Sequence, residues 1–496
     1  MTNERRDPLV HLDVQAHLKT SRVAEAAKRH QRLRTTKGEV CADTLGLPIP
    51  VRIVIEQEHL TALSGVINDC NREGNKQHNS RTPIFYWYQD TPVGKEAYIV
   101  LYTKPCEWGR CSFCTLPSQS SPVEVDPEDI YLQALLVFDN LSRQQLDAVR
   151  RVFLSNNGSI LNPATMPRHT LVRICELIHE VCPNVEIICF ETRFETATAA
   201  EMLAFQHWFA EWHRIYRSRG PHPRQADKPA CMQISAGYET QDPYLRNAVL
   251  WKGYDESKVQ EFFALCAQVR EQCGRPVLLD EYVMLKPAAG MTNEEAIDEA
   301  VETILHLERL GEHFKIPVSV RLNPTFAAVG SELHYQLEAR RYTPPTYRDL
   351  FQVLLRCRGE EVSIPIFLGL NNEGLSYSEG AFGNRDGTDP YYLRALTSYN
   401  GHQNFERLSQ EITLVEGRLN ESEEGRLLLV LQSVGTRLER LANLPVDELV
   451  RVLDEVRRSG RFPVSLQADL GRLGELLEPT ARPQGQPHSA AKVSRT

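Results

Sequence analysis

The chain has 496 residues, of which 42% are hydrophobic and 24% charged, with 65 acidic against 56 basic side chains and a net charge of -9. That length admits about two to four domains, or one α/β barrel of ~250 residues with extensions, and the acidic balance excludes nucleic-acid binding by global positive charge. No apolar run approaches the ~20 residues of a membrane span, and the charged start MTNERRDPLVHLDVQ lacks a signal-peptide core, so a cytoplasmic protein without membrane contact is expected.

Residues 1 to about 50 are polar and basic-rich and read as a helix plus linker; VRIVIEQ then looks like a strand, and RTPIFYWYQD is polar with an aromatic tip. Residues 1–95 are taken as an N-terminal extension. From 96 the pattern is periodic. AYIVLY (97–102) is too short for a helix and rich in β-formers. VDPEDIYLQALLVFDNL predicts a helix with Asp126 as N-cap and Pro127 in the first turn. RVFLS (151–155) is the next strand, followed by a helix over 167–182 with Ile174, Leu177, Ile178 and Val181 on one face.

VEIICFE (185–191), CMQISAG (231–237), VLLDEYVML (277–285), VSVRLN (318–323) and SIPIFLGL (363–370) continue the strands. Helices are expected between them at 196–216, 256–272 and 292–311. The last of these opens on a Thr292-x-x-Glu295 capping box and is expected to stop at Gly311. Strand–helix alternation means parallel strands with crossover helices. The fold class is α/β, a partial (β/α)6-type parallel barrel over 96–370 with helical N- and C-terminal extensions. Chemistry is then expected at the C-terminal ends of the strands. Residues 371–475 read as a mainly helical region and 476–496 as a disordered tail.

YTKPCEWGRCSFCTLPS places Cys106, Cys111 and Cys114 within nine residues, directly after the first barrel strand. Twelve cysteines in a reducing compartment are not a disulfide framework. Cys175, Cys182, Cys189, Cys266 and Cys273 read as core thiols, which pack as small hydrophobes. The triplet admits three readings. One is a zinc site completed by a distant residue, since zinc wants four ligands. Another is an iron–sulfur cluster with one iron left open. The third is an accidental run.

Three cysteines in a loop after the first strand, with Phe113 before the last, resemble the radical S-adenosylmethionine (SAM) superfamily. The usual spacing there is C-x3-C-x2-C; this chain has one more residue in the first gap. The resemblance implies a [4Fe–4S] cluster on Cys106, Cys111 and Cys114, with SAM on the fourth iron and Phe113 beside the cofactor. LSNNGSIL (154–161) sits where that family binds the methionyl amine, which gives cofactor roles to Ser155, Asn156, Asn157 and Gly158; an ordinary Asn-Gly turn is the other reading. CFETRFE (189–195) resembles the strand end of the elongator catalytic subunit group, implying that Glu191 and Arg193 face cofactor or substrate; the alternative is a surface ion pair.

ISAGYETQDPYLRNAVLWKG (234–253) is similar to that group's fourth strand and turn, with Glu239 as cofactor ligand and Arg246 and Lys252 as anion contacts, or as solvated helix residues. YVMLKPAAGMTNEEAIDEAVETI (282–304) and VRLNPTFAAVGSELHYQLEARRYTPPTYRDLFQVL (320–354) resemble the radical SAM subunit of archaeosine synthase, and would aim Lys286 into the barrel mouth; loop exposure is its alternative. The resemblance implies an enzyme that cleaves SAM reductively to a 5′-deoxyadenosyl radical. Its partners would be a reductant such as flavodoxin or ferredoxin and a substrate that is a tRNA base or a small biosynthetic metabolite. The competing class is a zinc-stabilised, non-enzymatic interaction protein.

Overall fold

The computed structural model describes residues 74–91, 93–218, 226–338, 341–370, 380–381 and 389–421. The helix and strand expected within 1–73 and the tail at 476–496 lie outside them. The chain divides into two compact units, 1–384 with 389–410 and 385–388 with 411–496. The barrel belongs to the first.

Its strands are β1 (Phe85–Thr91), β2 (Gly94–Val100), β3 (Val149–Ser155), β4 (Ile187–Glu191), β5 (Cys231–Glu239), β6 (Val277–Leu285), β7 (Val318–Pro324) and, after a two-residue β8 (Ala327–Ala328), β9 (Ile366–Leu368). One sheet holds them in the order β1-β2-β3-β4-β5-β6-β7-β9. From β2 onward every pairing is parallel. Spatial order follows chain order without reversal, so right-handed crossovers keep the helices on one face and the sheet curls around the other. The curl is measurable. In a flat sheet β2 and β7 would stand about 24 Å apart, at ~4.8 Å per strand. Instead Glu96 of β2 and Arg321 of β7 form an ion pair at 3.4 Å. The hydroxyls of Tyr98 (β2) and Tyr282 (β6) likewise meet at 3.4 Å.

The expected boundary at 95/96 falls inside β2. The aromatic stretch read as a polar tip is β1, an antiparallel hairpin partner with Thr91 opposite Gly94. Trp87, Tyr98 and Phe153 are neighbours in register on β1, β2 and β3. Their rings stack with centroids 3.8 and 4.1 Å apart. Three aromatic rings in line across the inner face are what recruits β1, because such cross-strand pairs stabilise a sheet by ~0.2–1 kcal/mol each.

The barrel is open, since β1 and β9 are the two edges of the sheet. Helix Asp389–His402 packs against both edge strands, so it closes the barrel although the sequence placed it in a separate C-terminal region. There the Asn400 amide accepts from the Leu368 N–H and donates to its carbonyl, both at 2.8 Å. A side chain thereby stands in for the missing strand.

The caps largely follow expectation. Asp126 accepts from the Glu128 N–H, and Thr292 with Glu295 closes a capping box. Gly311 does not stop its helix, which continues to Phe314 and ends on the left-handed Lys315. A Cβ at Gly311 would lie 2.8 Å from Val318 Cγ2, so that glycine serves close helix–strand packing instead. At the floor of the barrel, Arg151 pairs with Glu96 (3.1 Å) and Asp280 (2.6 Å), and Arg321 with Asp280 (2.8 Å). Two cations and two anions thus meet in a fully buried ring.

Candidate functional site

The cysteine loop leaves β2 at the C-terminal end of the sheet and is braced by the loops that follow three other strands. From β3 comes the turn Asn156–Gly158. A Cβ at Gly158 would stand 3.0 Å from the Cys106 nitrogen, so only glycine lets this turn lie against the cysteine backbone. Asn156 donates to Thr103 Oγ1 (3.1 Å), Asn157 to the Leu116 carbonyl (3.4 Å) and Asn162 to Glu107 (2.7 Å). The left-handed residue of the turn is Asn157, at φ 54°. From β7, the Glu332 N–H donates to the Ser112 carbonyl at 3.0 Å.

The tightest brace follows β5. One π-helical turn, Leu245–Val249, leads into an irregular segment with positive φ at Trp251 and Gly253. The Ser112 hydroxyl donates to the Val249 carbonyl (2.7 Å), the Ser112 N–H to the Leu250 carbonyl (3.1 Å) and the Trp108 indole to the Trp251 carbonyl (2.7 Å). Gly253 has φ 77°, and a Cβ there would overlap the Trp108 ring. The first gap of the motif, with its extra residue, therefore carries an anchor, Trp108, seated on this segment.

None of the three cysteines forms a disulfide; Cys111 is buried, and Cys106 and Cys114 are half-buried. Burial pushes the Cys111 thiol up, while Lys252 and Arg193 pull it down and Cys106 raises it again. Cys114 is raised by burial and then by Cys111 and Cys106. The three sulfurs therefore feel one another's charge. Two cations stand beside them. Lys252 pairs with Glu239 at 2.9 Å, and its ammonium lies 5.7 Å from the Phe113 ring centroid. The Arg193 guanidinium lies 5.4 Å from the Trp108 ring and 5.7 Å from Tyr254, and donates to the Lys252 carbonyl at 2.7 Å. Burial works against the Arg193 charge, but Cys111, Glu195 and Cys106 hold it above its ordinary value.

Glu191, at the end of β4, is reached by the Tyr98 hydroxyl at 3.4 Å. Burial raises its carboxyl above the usual range, against hydrogen bonding from Ser155. The fold thus gathers Phe113, Asn156, Asn157, Gly158, Arg193, Glu239 and Lys252 around the cysteines, with Ser155 and Glu191 just inside. Neither Arg193 nor Lys252 is a solvated surface residue. Lys286 is fully buried rather than loop-exposed, and its ammonium is bound to Asn293 at 2.7 Å. Asn293 in turn donates to Asp349 (2.8 Å), and the Tyr342 hydroxyl donates to the Lys286 carbonyl (2.9 Å). Arg246 is also buried, held by Glu256 at 3.0 Å and lying against Tyr238. The π-turn and the roles of Trp108, Ser112 and Gly253 were not anticipated. The pairing of Trp108-Gly109 with Trp251-Lys252-Gly253 is the signal that points to them, but only the fold shows the two segments touching.

The site can be tested for fit to an iron–sulfur cluster and SAM. Asn156 Oδ1 is buried and has no hydrogen-bond partner among the described residues, and it faces the Gly158–Cys106 contact. An orphaned buried acceptor costs about 1–3 kcal/mol, which an ammonium donor would relieve. Three thiols with two adjacent cations suit an anionic cluster with three protein ligands. Among the described residues no group of three or more His, Cys, Asp or Glu converges as the ligands of a single metal ion must. The corners of a cluster are spread more widely than that. The residues fit.

No protein-family model and no curated protein matches the chain. Solved structures do. The chain is similar to queuine lyase from Clostridium spiroforme bound to SAM and queuine, at 18% identity and TM-score 0.29, over 48% of this chain and 79% of that one. It is similar to the archaeal Methanocaldococcus infernus Elp3, at 12% identity and TM-score 0.37, over 55% and 58%. It is also similar to the radical S-adenosylmethionine methyltransferase TsrM from Kitasatospora setae, with cobalamin and a [4Fe–4S] cluster bound, at 13% identity and TM-score 0.28, over 48% and 39%.

Proposed function

We propose that this chain is a radical SAM enzyme whose Cys106, Cys111 and Cys114 hold three irons of a [4Fe–4S] cluster, leaving the fourth iron to SAM. The observation that carries this reading is the set of three cysteines, none in a disulfide, in a loop braced at the C-terminal end of the barrel. When bound, the cluster supplies one electron to cleave SAM to a 5′-deoxyadenosyl radical that abstracts hydrogen from substrate.

The chain's own residues bind, orient and exclude water. Asn156 Oδ1 accepts from the methionyl amine. Glu239, fixed by Lys252, is placed for the ribose hydroxyls, and Phe113 walls the cofactor. Glu191, whose carboxyl burial raises above the usual range, offers a hydrogen-bonding carboxyl inside the barrel. The buried ion ring and the aromatic stack fill the floor of the barrel, so in this reading the substrate enters from the loop side. A tRNA base and a small biosynthetic metabolite both meet that requirement. A flavodoxin or ferredoxin is the class of donor the electron calls for. No helix among the described residues is long and apolar enough to cross a membrane.

Anaerobic purification and reconstitution test the reading. About four irons per chain with a broad visible absorption, and dithionite-dependent 5′-deoxyadenosine that Cys106→Ala abolishes, are expected. Stoichiometric zinc without a cluster, or undiminished product in that variant, would sink it. Product analysis against bulk tRNA and cell extract then separates the two substrate classes.

A further inference from the structure

We infer that Arg193 is the charge-compensating residue of the cluster loop and sets how readily the cluster is reduced, an inference that rests on the reading above. Arg193 is firmly held at both its backbone and its side chain. Its backbone N–H donates to Ser159 Oγ at 2.9 Å, beside the Gly158 that lies against Cys106. Its side chain stands between the rings of Trp108 and Tyr254. Its terminal nitrogen donates to the Lys252 carbonyl at 2.7 Å, and Glu195 pairs with its Nε. Trp108 lies between Cys106 and Cys111 in the chain and is itself fixed to Trp251. The same contacts that shape the loop therefore immobilise the cation beside its sulfurs.

Arg193 is only 11% exposed. A charge held so far from water is screened weakly, and an arginine cannot shed its proton to escape. Something must offset it, and the Glu195 carboxylate, 36% exposed, does so only in part. Cys111 and Cys106 are the remaining groups that interact with it, and they would carry negative charge as thiolate ligands of the cluster. Three cysteine thiolates make a [4Fe–4S] cluster anionic, and reduction by one electron from an external donor adds one more negative charge to the cluster, with no bond broken. A fixed neighbouring cation favours the reduced form. The other cation, Lys252, also acts on Cys111, but its partner Glu239 is a buried carboxylate, whereas Glu195, the partner of Arg193, is open to solvent.

The experiment is a redox titration of the reconstituted holoprotein, read by the electron paramagnetic resonance of the reduced cluster. Arg193→Gln should disfavour reduction about tenfold, a midpoint lower by about 59 mV for a one-electron couple. Arg193→Lys, which keeps a charge but loses the planar fork, should recover part of that shift. Glu195→Gln should move the midpoint the opposite way. A wild-type midpoint in Arg193→Gln overturns the inference, as does an equal loss in the Gln and Lys variants. Failure of both variants to retain iron overturns it too, because geometry rather than charge is then what the position supplies. Failure of the wild type to take up a cluster would strike the functional reading instead.

Discussion

The floor and the mouth of this barrel both bury charge, and they do it in opposite ways. At the floor, Arg151 and Arg321 face Glu96 and Asp280, each cation touching both anions. Burial alone would raise the Asp280 carboxyl, yet the two guanidiniums hold it far below the usual range. The ring is neutral and closed. At the mouth, Arg193 and Lys252 each have one carboxylate, and a backbone carbonyl and aromatic faces brace them beside the three cysteines. Four ions that pair with one another fix one geometry. Charges gathered beside three cysteines at the C-terminal end of the strands are, on the reading proposed above, those of a functional site. The difference teaches which of two clusters, similar in composition, is structural.

Removing an anion from the floor should have the largest effect on stability. Asp280→Ala leaves Arg151 and Arg321 sharing Glu96, and breaking a buried ion set from one side typically costs about 3–5 kcal/mol. Urea unfolding of the cluster-free protein measures it. A loss under about 1 kcal/mol would mean that water already reaches the ring, and the contrast between floor and mouth would fail.

A mouth substitution should divide stability from site integrity. Gly253→Ala places a side chain at φ 77° against the Trp108 ring. The left-handed backbone costs roughly 1–2 kcal/mol, and the overlap must be relieved by moving Trp108. Because Trp108 rather than the barrel core is displaced, iron retention after reconstitution should fall much more than the unfolding midpoint. Trp108→Phe, which keeps the ring but loses the bond to Trp251, should fall between. Equal iron content in all three proteins would show that the loop needs no anchor.

The parallel strands were legible because they are continuous apolar runs, and β6 coincides with its expected range of 277–285. The cysteines were legible from spacing alone. Where reading failed, the reason was tertiary. Phe85–Thr91 looks polar at its ends, and only the stack on Tyr98 and Phe153 makes it a strand. Gly311 carries the signature of a helix stop, but Val318 comes so close that the helix needs glycine mid-course. The resemblance aims Lys286 into the barrel mouth, whereas its backbone is left-handed (φ 64°) and its ammonium is bound to Asn293. Ion partners such as Arg151 with Asp280 are 129 residues apart, a distance no local pattern spans.

The last expected effect concerns the wall behind the mouth and is read as a pH dependence. Glu299, on helix Asn293–Phe314, accepts from Thr303 at 2.8 Å and from Thr240, the residue after Glu239. Its second oxygen is buried without a hydrogen-bond partner among the described residues. Burial raises this carboxyl to about 7, against the two threonine hydroxyls. An unfolded glutamate titrates near ~4.3. Between those values the native state holds a proton that the unfolded state has released, so stability should fall as pH rises through that window and level off above about 7. The slope is at most about 1.4 kcal/mol per pH unit. Glu299→Gln keeps the acceptor for Thr240 and Thr303 and removes the ionisation. Unfolding free energies at pH 5 and pH 8 should differ less in that variant than in the wild type. An unchanged difference would mean that Glu299 is hydrated in the native state, and that the wall behind Glu239 is wetter than the floor.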